Sequence, residues 1–218
     1  MINKDELFKQ VDPFVYDELF TWNVYQANKD EYKSANILDI GGHYGLYTYL
    51  CHTLGAKNIV AVEANPYNYL HFIKNTLDIP NVKVINAAVS NESGKIVTID
   101  NNSEKSTVGK GDINVATVTL KDVVQIFPEN EDIILKMDIE GAEYNALYNT
   151  STDVLRRFSS IAIEMHEFPD SGHKFNDLDR YIQNAGFKQV WHGTFFTKLP
   201  NDVKVPNDII AIFKYKRI

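Results

Sequence analysis

Cysteine is all but absent: Cys51 is the only one in 218 residues. A single thiol excludes an intramolecular disulfide and a cysteine-based zinc site within one chain, and it suits a reducing compartment. Long apolar runs are missing too. No stretch approaches the roughly 20 residues that a membrane-spanning helix needs, and the opening residues MINKDELFKQ are charged where a signal peptide would be apolar. A cytoplasmic protein without a membrane partner is expected. Positive charge is in deficit, with 22 Lys and Arg against 29 Asp and Glu and a formal net charge of −7. Binding to phosphate backbones needs a basic face, so no nucleic-acid partner is expected.

What is present is a globular composition: 44% hydrophobic residues, including 12 Phe and 12 Tyr. The length suits one substantial core, so residues 1–218 are expected to form a single domain.

The most informative stretch is ILDIGGHYGLYTY. Ile37, Leu38 and Ile40 form a short apolar run, Gly41 and Gly42 interrupt it, and apolar and aromatic residues resume from Leu46 at mostly helical spacing. That pattern predicts strand, tight turn, helix. Such a turn is expected to aim free backbone N–H groups and a positive helix end at a ligand, with glycine permitting close approach. A dinucleotide fingerprint fails, because His43 and Leu46 occupy two of its glycine positions. Instead Asp39, Gly41 and Gly45 give Asp-x-Gly-x-x-x-Gly, whose carboxylate repels a pyrophosphate and welcomes an ammonium. The second predicted strand, Asn58 to Glu63, ends in an acid about 20 residues beyond Gly41, the offset at which a carboxylate takes ribose hydroxyls. A ligand with both an amino acid head and a ribose satisfies both halves, which points to S-adenosyl-L-methionine.

The sequence resembles the FkbM-like methyltransferases that use this cofactor. The matching pieces are ILDIGGHYGLYTY, IVAVEANP, VINAAVSNESGKI, VATVTLKDVV, ILKMDIEGAEYNAL and IAIEMHEF, in that order, from about residue 36 to the carboxy-terminus. The KMDIEGAE segment is the most particular to the family; His43 departs from it. The resemblance implies a doubly wound α/β, Rossmann-like sheet of seven strands in the order 3-2-1-4-5-7-6, the seventh antiparallel. It implies O-methyl transfer to a small-molecule or glycan hydroxyl of a sugar or natural product. The cofactor residues expected are Asp39 toward the ammonium, Gly41, Gly42 and Gly45 at the turn, Glu63 on the ribose, Ala88 near the adenine by family analogy, and Asp138 near the sulfonium.

Elsewhere, Asp12-Pro13 predicts a capped helix start within an amino-terminal helical cover over residues 1–34, and Asn65-Pro66 predicts another helix running to about Leu77. Residues 91–118 read as a hairpin-like insertion, with strands at Lys95 to Ile99 and Val115 to Leu120 around a polar tip. Later, a helix capped by Asn176 or Asp177 is expected to end near Gly186, followed by strands near Phe187 to His192 and Asp208 to Tyr215.

Two further strands carry charge. In Asp132 to Asp138, alternation puts Ile134, Lys136 and Asp138 on one face; in Ser160 to His166 it does the same for Ala162, Glu164 and His166. Ionisable groups inside a covered sheet require partners or an opening. The expectation is that Lys136 and Glu164 compensate each other, with Asp138 and His166 at the crevice. Glu140 and Glu143 are expected on the first turn of a following helix, Glu143 as simple first-turn charge. Histidine is the natural base at neutral pH, so the catalytic set is His166, Asp138 and Glu164, with His43 as second base. Glu164, His166, Glu167 and His173, with Asp138, could be read as metal ligands, but no spacing is specific and no metal is expected. The competing readings are an NAD-dependent oxidoreductase and a non-catalytic cofactor-binding module on the same fold.

Overall fold

A computed structural model describes residues 11–100, 109, 111–167, 171–194 and 209–218. The first ten residues of the expected amino-terminal cover and the tip of the insertion lie outside them.

The core is one seven-stranded sheet built from β1 (Asn36–Ile40), β2 (Asn58–Glu63), β3 (Val82–Asn86), β7 (Ile133–Met137), β8 (Phe158–Glu167), β9 (Phe187–Thr194) and β10 (Ile209–Arg217), in the order β3-β2-β1-β7-β8-β10-β9. Counting core strands alone, this is 3-2-1-4-5-7-6. The pairs from β3 to β8 are parallel, and β10 runs antiparallel to both neighbours. The remaining strands, β4 (Ala88–Val89), β5 (Ile96–Ile99) and β6 (Ile113–Val118), form a small sheet in which β5 and β6 pair antiparallel.

Both faces of the large sheet are covered, which is why β1 and β7 are buried at every position. One face carries Leu38, Ile40, Val60, Val62, Leu135, Met137, Ile161 and Ile163. Against it pack α5 (Leu120–Val124), α6 (Glu143–Tyr148), α7 (Thr152–Leu155) and α8 (Phe175–Asn184). The other face, with Ile37, Ile59, Ile134 and Ala162, meets α3 (Leu46–Thr53) and the amino-terminal segment through Leu19, Tyr25 and Tyr32. That segment comprises α1 (Pro13–Tyr16), a π-helical turn over Asp17–Thr21, and α2 (Lys29–Tyr32).

The caps behave as their chemistry requires. Asp12 accepts from the Phe14 N–H at 2.7 Å, and Asn65 accepts from the Tyr67 N–H at 2.9 Å to open α4 (Pro66–Thr76). Most strand ends shift by a residue or two, and three boundaries differ for a reason visible in the contacts. Strand β6 stops at Val118, because Thr119 forms a capping box with Asp122 and starts α5. Helix α8 starts at Phe175, ahead of Asn176 and Asp177; its first N–H donates to Glu167 Oε2 at 3.2 Å instead of to an Asn or Asp cap. The third lies at the site.

Candidate active site

Strand β1 ends at Ile40, and the chain turns through Gly41, with φ of +78°, before entering α3. A Cβ at Gly41 would lie 1.7 Å from the Asp138 carbonyl oxygen, and one at Gly42 would lie 2.4 Å from the Phe72 ring. Gly45, with φ of +89°, packs against Thr76 and Phe72. The glycines thus let the bend close on the β7 loop and on α4. The N–H groups of this bend also turn inward: Gly41 and Gly42 donate to Val62 O, Gly45 to Gly42 O, and His43 to Glu63 Oε2 at 2.8 Å. The expectation of free N–H groups is corrected for these residues. His43, Tyr44 and His71 stack in succession beside the bend, with centroids 4.3 and 4.7 Å apart.

Glu63 closes β2 opposite this bend. Its carboxylate accepts from His43 N and, at 2.8 Å, from Asn65 N, and burial pushes its pKa up to about 7 despite those bonds. Ala88 is buried in β4 beside Ile99 and Val115.

Asp39 is fully buried, accepting from the Thr48 hydroxyl at 2.9 Å while Oδ1 lies 3.5 Å from the Lys136 ammonium. Burial raises its pKa, and Lys136 and Thr48 oppose the rise. Here the expected Lys136–Glu164 pair is corrected. The register sets Lys136 beside Asp39 on β1 and beside Ala162 on β8. Lys136 therefore pairs with Asp39, and with Asp138 at 3.9 Å, while donating to Gly41 O at 2.6 Å. Burial disfavours its charge, but Asp39 and Asp138 outweigh that and raise its pKa. The Tyr25 and Tyr47 rings lie 5.6 and 5.9 Å from its ammonium.

Glu164 is placed with Asp138 and His166. The Tyr25 hydroxyl lies 3.0 Å from Asp138 Oδ2 and 3.3 Å from Glu164 Oε2, bridging the two strand ends. Burial, then Asp138, raises the Glu164 pKa. Glu18 of the π-helical turn completes the group; burial and the neighbouring Glu164 and Asp138 push its pKa up to about 9.

The third boundary correction concerns the loop after β7. Glu140 and Gly141 both have positive φ, +54° and +99°, so the helix begins at Glu143 and Glu140 sits in a left-handed turn before it. Glu143 is no surface first-turn charge. It is fully buried, and its Oε1 accepts from the Ile139 and Gly141 N–H groups at 3.0 and 3.3 Å and lies 3.1 Å from His166 Nδ1. On the other side of the ring, His166 Nε2 lies 3.3 Å from Glu140 Oε2 and 3.4 Å from Glu164 Oε1. Burial alone would neutralise this imidazole, but Glu143 foremost, then Glu164, holds its pKa well above the usual range.

The site thus joins the predicted Asp138, Glu164 and His166 to Tyr25, Glu18, Glu140 and Glu143, which sequence reasoning did not assign to it. Glu140 and Glu143 lie in the KMDIEGAE segment that carries the resemblance most particularly; nothing local marked Tyr25. Glu167 and His173 stand apart from this group: Glu167 pairs with Lys174 at 2.5 Å, and His173 stacks on Tyr144 at 4.3 Å.

Residues 39–188 match the family described as methyltransferase FkbM domain. No curated protein matches the chain. Among solved structures, TrmK of M. capricolum, in complex with S-adenosyl-homocysteine, is similar with a TM-score of 0.54 at 14% identity, covering 91% of this chain and 68% of that one. A candidate S-adenosylmethionine-dependent methyltransferase of Listeria monocytogenes gives 0.54 at 9% identity, covering 94% and 99%. A candidate RNA methyltransferase of Pyrococcus horikoshii gives 0.50 at 15%, covering 95% and 86%. At these identities the likeness is one of fold.

Proposed function

The chain belongs to the FkbM methyltransferase domain family, and from that premise we propose that it transfers a methyl group from S-adenosyl-L-methionine to a hydroxyl of a sugar or natural-product small molecule. The observation carrying the cofactor reading is the pair formed by the Gly41 bend and Glu63, joined by the His43 N–H at 2.8 Å. It sets a carboxylate one strand away from the bend, at the carboxyl ends of the strands where open α/β sheets take nucleotide-like ligands. The donor set fits the group. Glu63 supplies acceptors for ribose hydroxyls, Gly41, Gly42 and Gly45 shape the floor, Ala88 borders the adenine side, and Asp138 lies toward the sulfonium; Asp39, expected toward the ammonium, is fully buried against Lys136 and Thr48 and acts through the charge it sets beneath the bend.

When bound, the cofactor supplies an activated methyl group; the protein's tasks are alignment and proton removal. We assign the proton to Glu164, because burial and Asp138 bring its pKa up from the usual carboxylate range. His166, whose pKa Glu143 raises well above the usual range, is less suited as the base and positions Glu164 and Glu140. Tyr25 orients Asp138 and Glu164 and helps keep water from the crevice. The single buried Cys51 accords with a cytoplasmic setting.

The test is calorimetric titration with S-adenosyl-homocysteine and, separately, NADH, followed by labelled methyl transfer to a panel of glycans and polyketide alcohols. The expected result is binding of the first compound only, weakened at least tenfold in Glu63→Ala, and label in a hydroxyl ether. Binding of NADH instead, or equal binding by Glu63→Ala, would overturn the cofactor reading; transfer to nitrogen or carbon acceptors alone would overturn O-methylation.

A further inference from the structure

We propose that the carboxyl ends of β7 and β8 form a divalent-cation site whose protein ligands are Asp138, Glu140 and Nε2 of His166. One ligand atom from each lies within 4.8 Å of the other two, and His166 Nε2 stands 3.3 Å from Glu140 Oε2. Around a small octahedral cation with bonds of about 2.1 Å, neighbouring ligands lie about 3 Å apart and opposite ones about 4 Å. Small side-chain adjustments bring the three atoms to that spacing.

The imidazole is prepared for this task by an arrangement that a simple surface cluster of acids does not have. Metal-binding histidines typically use the second ring nitrogen to hold a carboxylate, which fixes the ring and directs the other nitrogen at the ion. His166, 1% exposed, does this: Nδ1 lies 3.1 Å from Glu143 Oε1, and that carboxylate is itself buried and pinned by the Ile139 and Gly141 N–H groups. Nε2 is thereby directed toward Glu140 and Glu164, not into the apolar core, and a bound cation takes the place of its proton, which leaves to solvent. Glu164, 8% exposed, brings a further carboxylate oxygen to 3.4 Å from the same nitrogen.

The opposite side is open. The side chains of Asp138 and Glu140 are 27% and 20% exposed, so an ion has a route in and keeps coordination positions for water or a substrate oxygen. Two carboxylates with one imidazole favour a cation between the oxygen-seeking and nitrogen-seeking extremes, and Mn2+ is the natural probe. On the methyltransferase reading, on which this role rests, the open positions face the acceptor hydroxyl. A cation there orients that oxygen and lowers its pKa.

The test is titration of the chelator-treated full chain with Mn2+, read by the loss of the free-ion electron paramagnetic resonance signal. One ion per chain is expected. Glu140→Gln, whose side chain is partly exposed and whose fold is checked by circular dichroism, is expected to weaken binding at least tenfold. Asp138→Asn should do the same, whereas Glu167→Gln, outside the group, should bind as the parent does. No loss of free signal with the parent, or unchanged binding by folded Glu140→Gln, would overturn the site. S-adenosyl-homocysteine calorimetry on the same preparation reports on the methyltransferase reading alone, so a failure of either is distinguishable.

Discussion

Glu63 holds a carboxylate in a nearly closed setting, and its pKa of about 7 means that ionisation is easier in the unfolded chain than in the folded one. The folded state therefore bears no such penalty below about pH 4.5; the penalty grows as pH rises toward 7 and stays constant above. Glu63→Gln escapes it while keeping one oxygen for the His43 or Asn65 N–H. Denaturant unfolding should show the stability difference moving in favour of the variant by about 2 kcal/mol between pH 5 and pH 8. A pH-independent difference would show that burial does not hold Glu63 up. At this scale the acids of the site were only partly legible. Glu63 announced itself by its offset from Gly41, and Asp138 by strand alternation. Glu143 read as surface charge, because helix-start statistics contain nothing about a histidine 23 residues away that turns its ring onto it.

Among the elements, the amino-terminal segment is tied to the crevice by one hydroxyl. Tyr25 stands between Asp138 and Glu164, and its removal leaves two carboxylates facing each other without a donor between them. Tyr25→Phe should cost about 2 kcal/mol, the range for a buried hydrogen bond to a charged group, and lower Tm by about 5 °C in a thermal melt. An unchanged Tm would show that the segment is held by its apolar contacts through Leu19 and Tyr32 alone. Caps and strands were readable here because they are local: Asp12-Pro13 and Asn65-Pro66 each mark a helix start with two neighbouring residues. The start of α6 was not, because Glu140 adopts a left-handed backbone that a non-glycine residue does not advertise.

For the whole molecule, the net charge of −7 and an acid-rich crevice oppose a polyanionic acceptor, although some proteins of similar fold are described as RNA methyltransferases. In 0.15 M salt, bulk tRNA at up to about 10 µM should give no shift in an electrophoretic mobility assay. Saturable binding in that range would reverse the expectation of no nucleic-acid partner. No helix among the described residues is long and apolar enough to cross a membrane.

By itself the sequence determined what depends on near neighbours: the strand–glycine–helix unit after Ile37, the alternation that puts Lys136 and Asp138 on one face, and the run of elements that winds a parallel sheet on both sides. Tertiary structure alone decided who meets whom across that sheet. Lys136 faces Asp39 and not Glu164 because strand register is set by the packing of whole faces, and Tyr25 reaches Asp138 across 113 positions because the amino-terminal segment folds back over the strand ends. Periodicity along a chain specifies which side a residue occupies; only the assembled sheet specifies the neighbour waiting there.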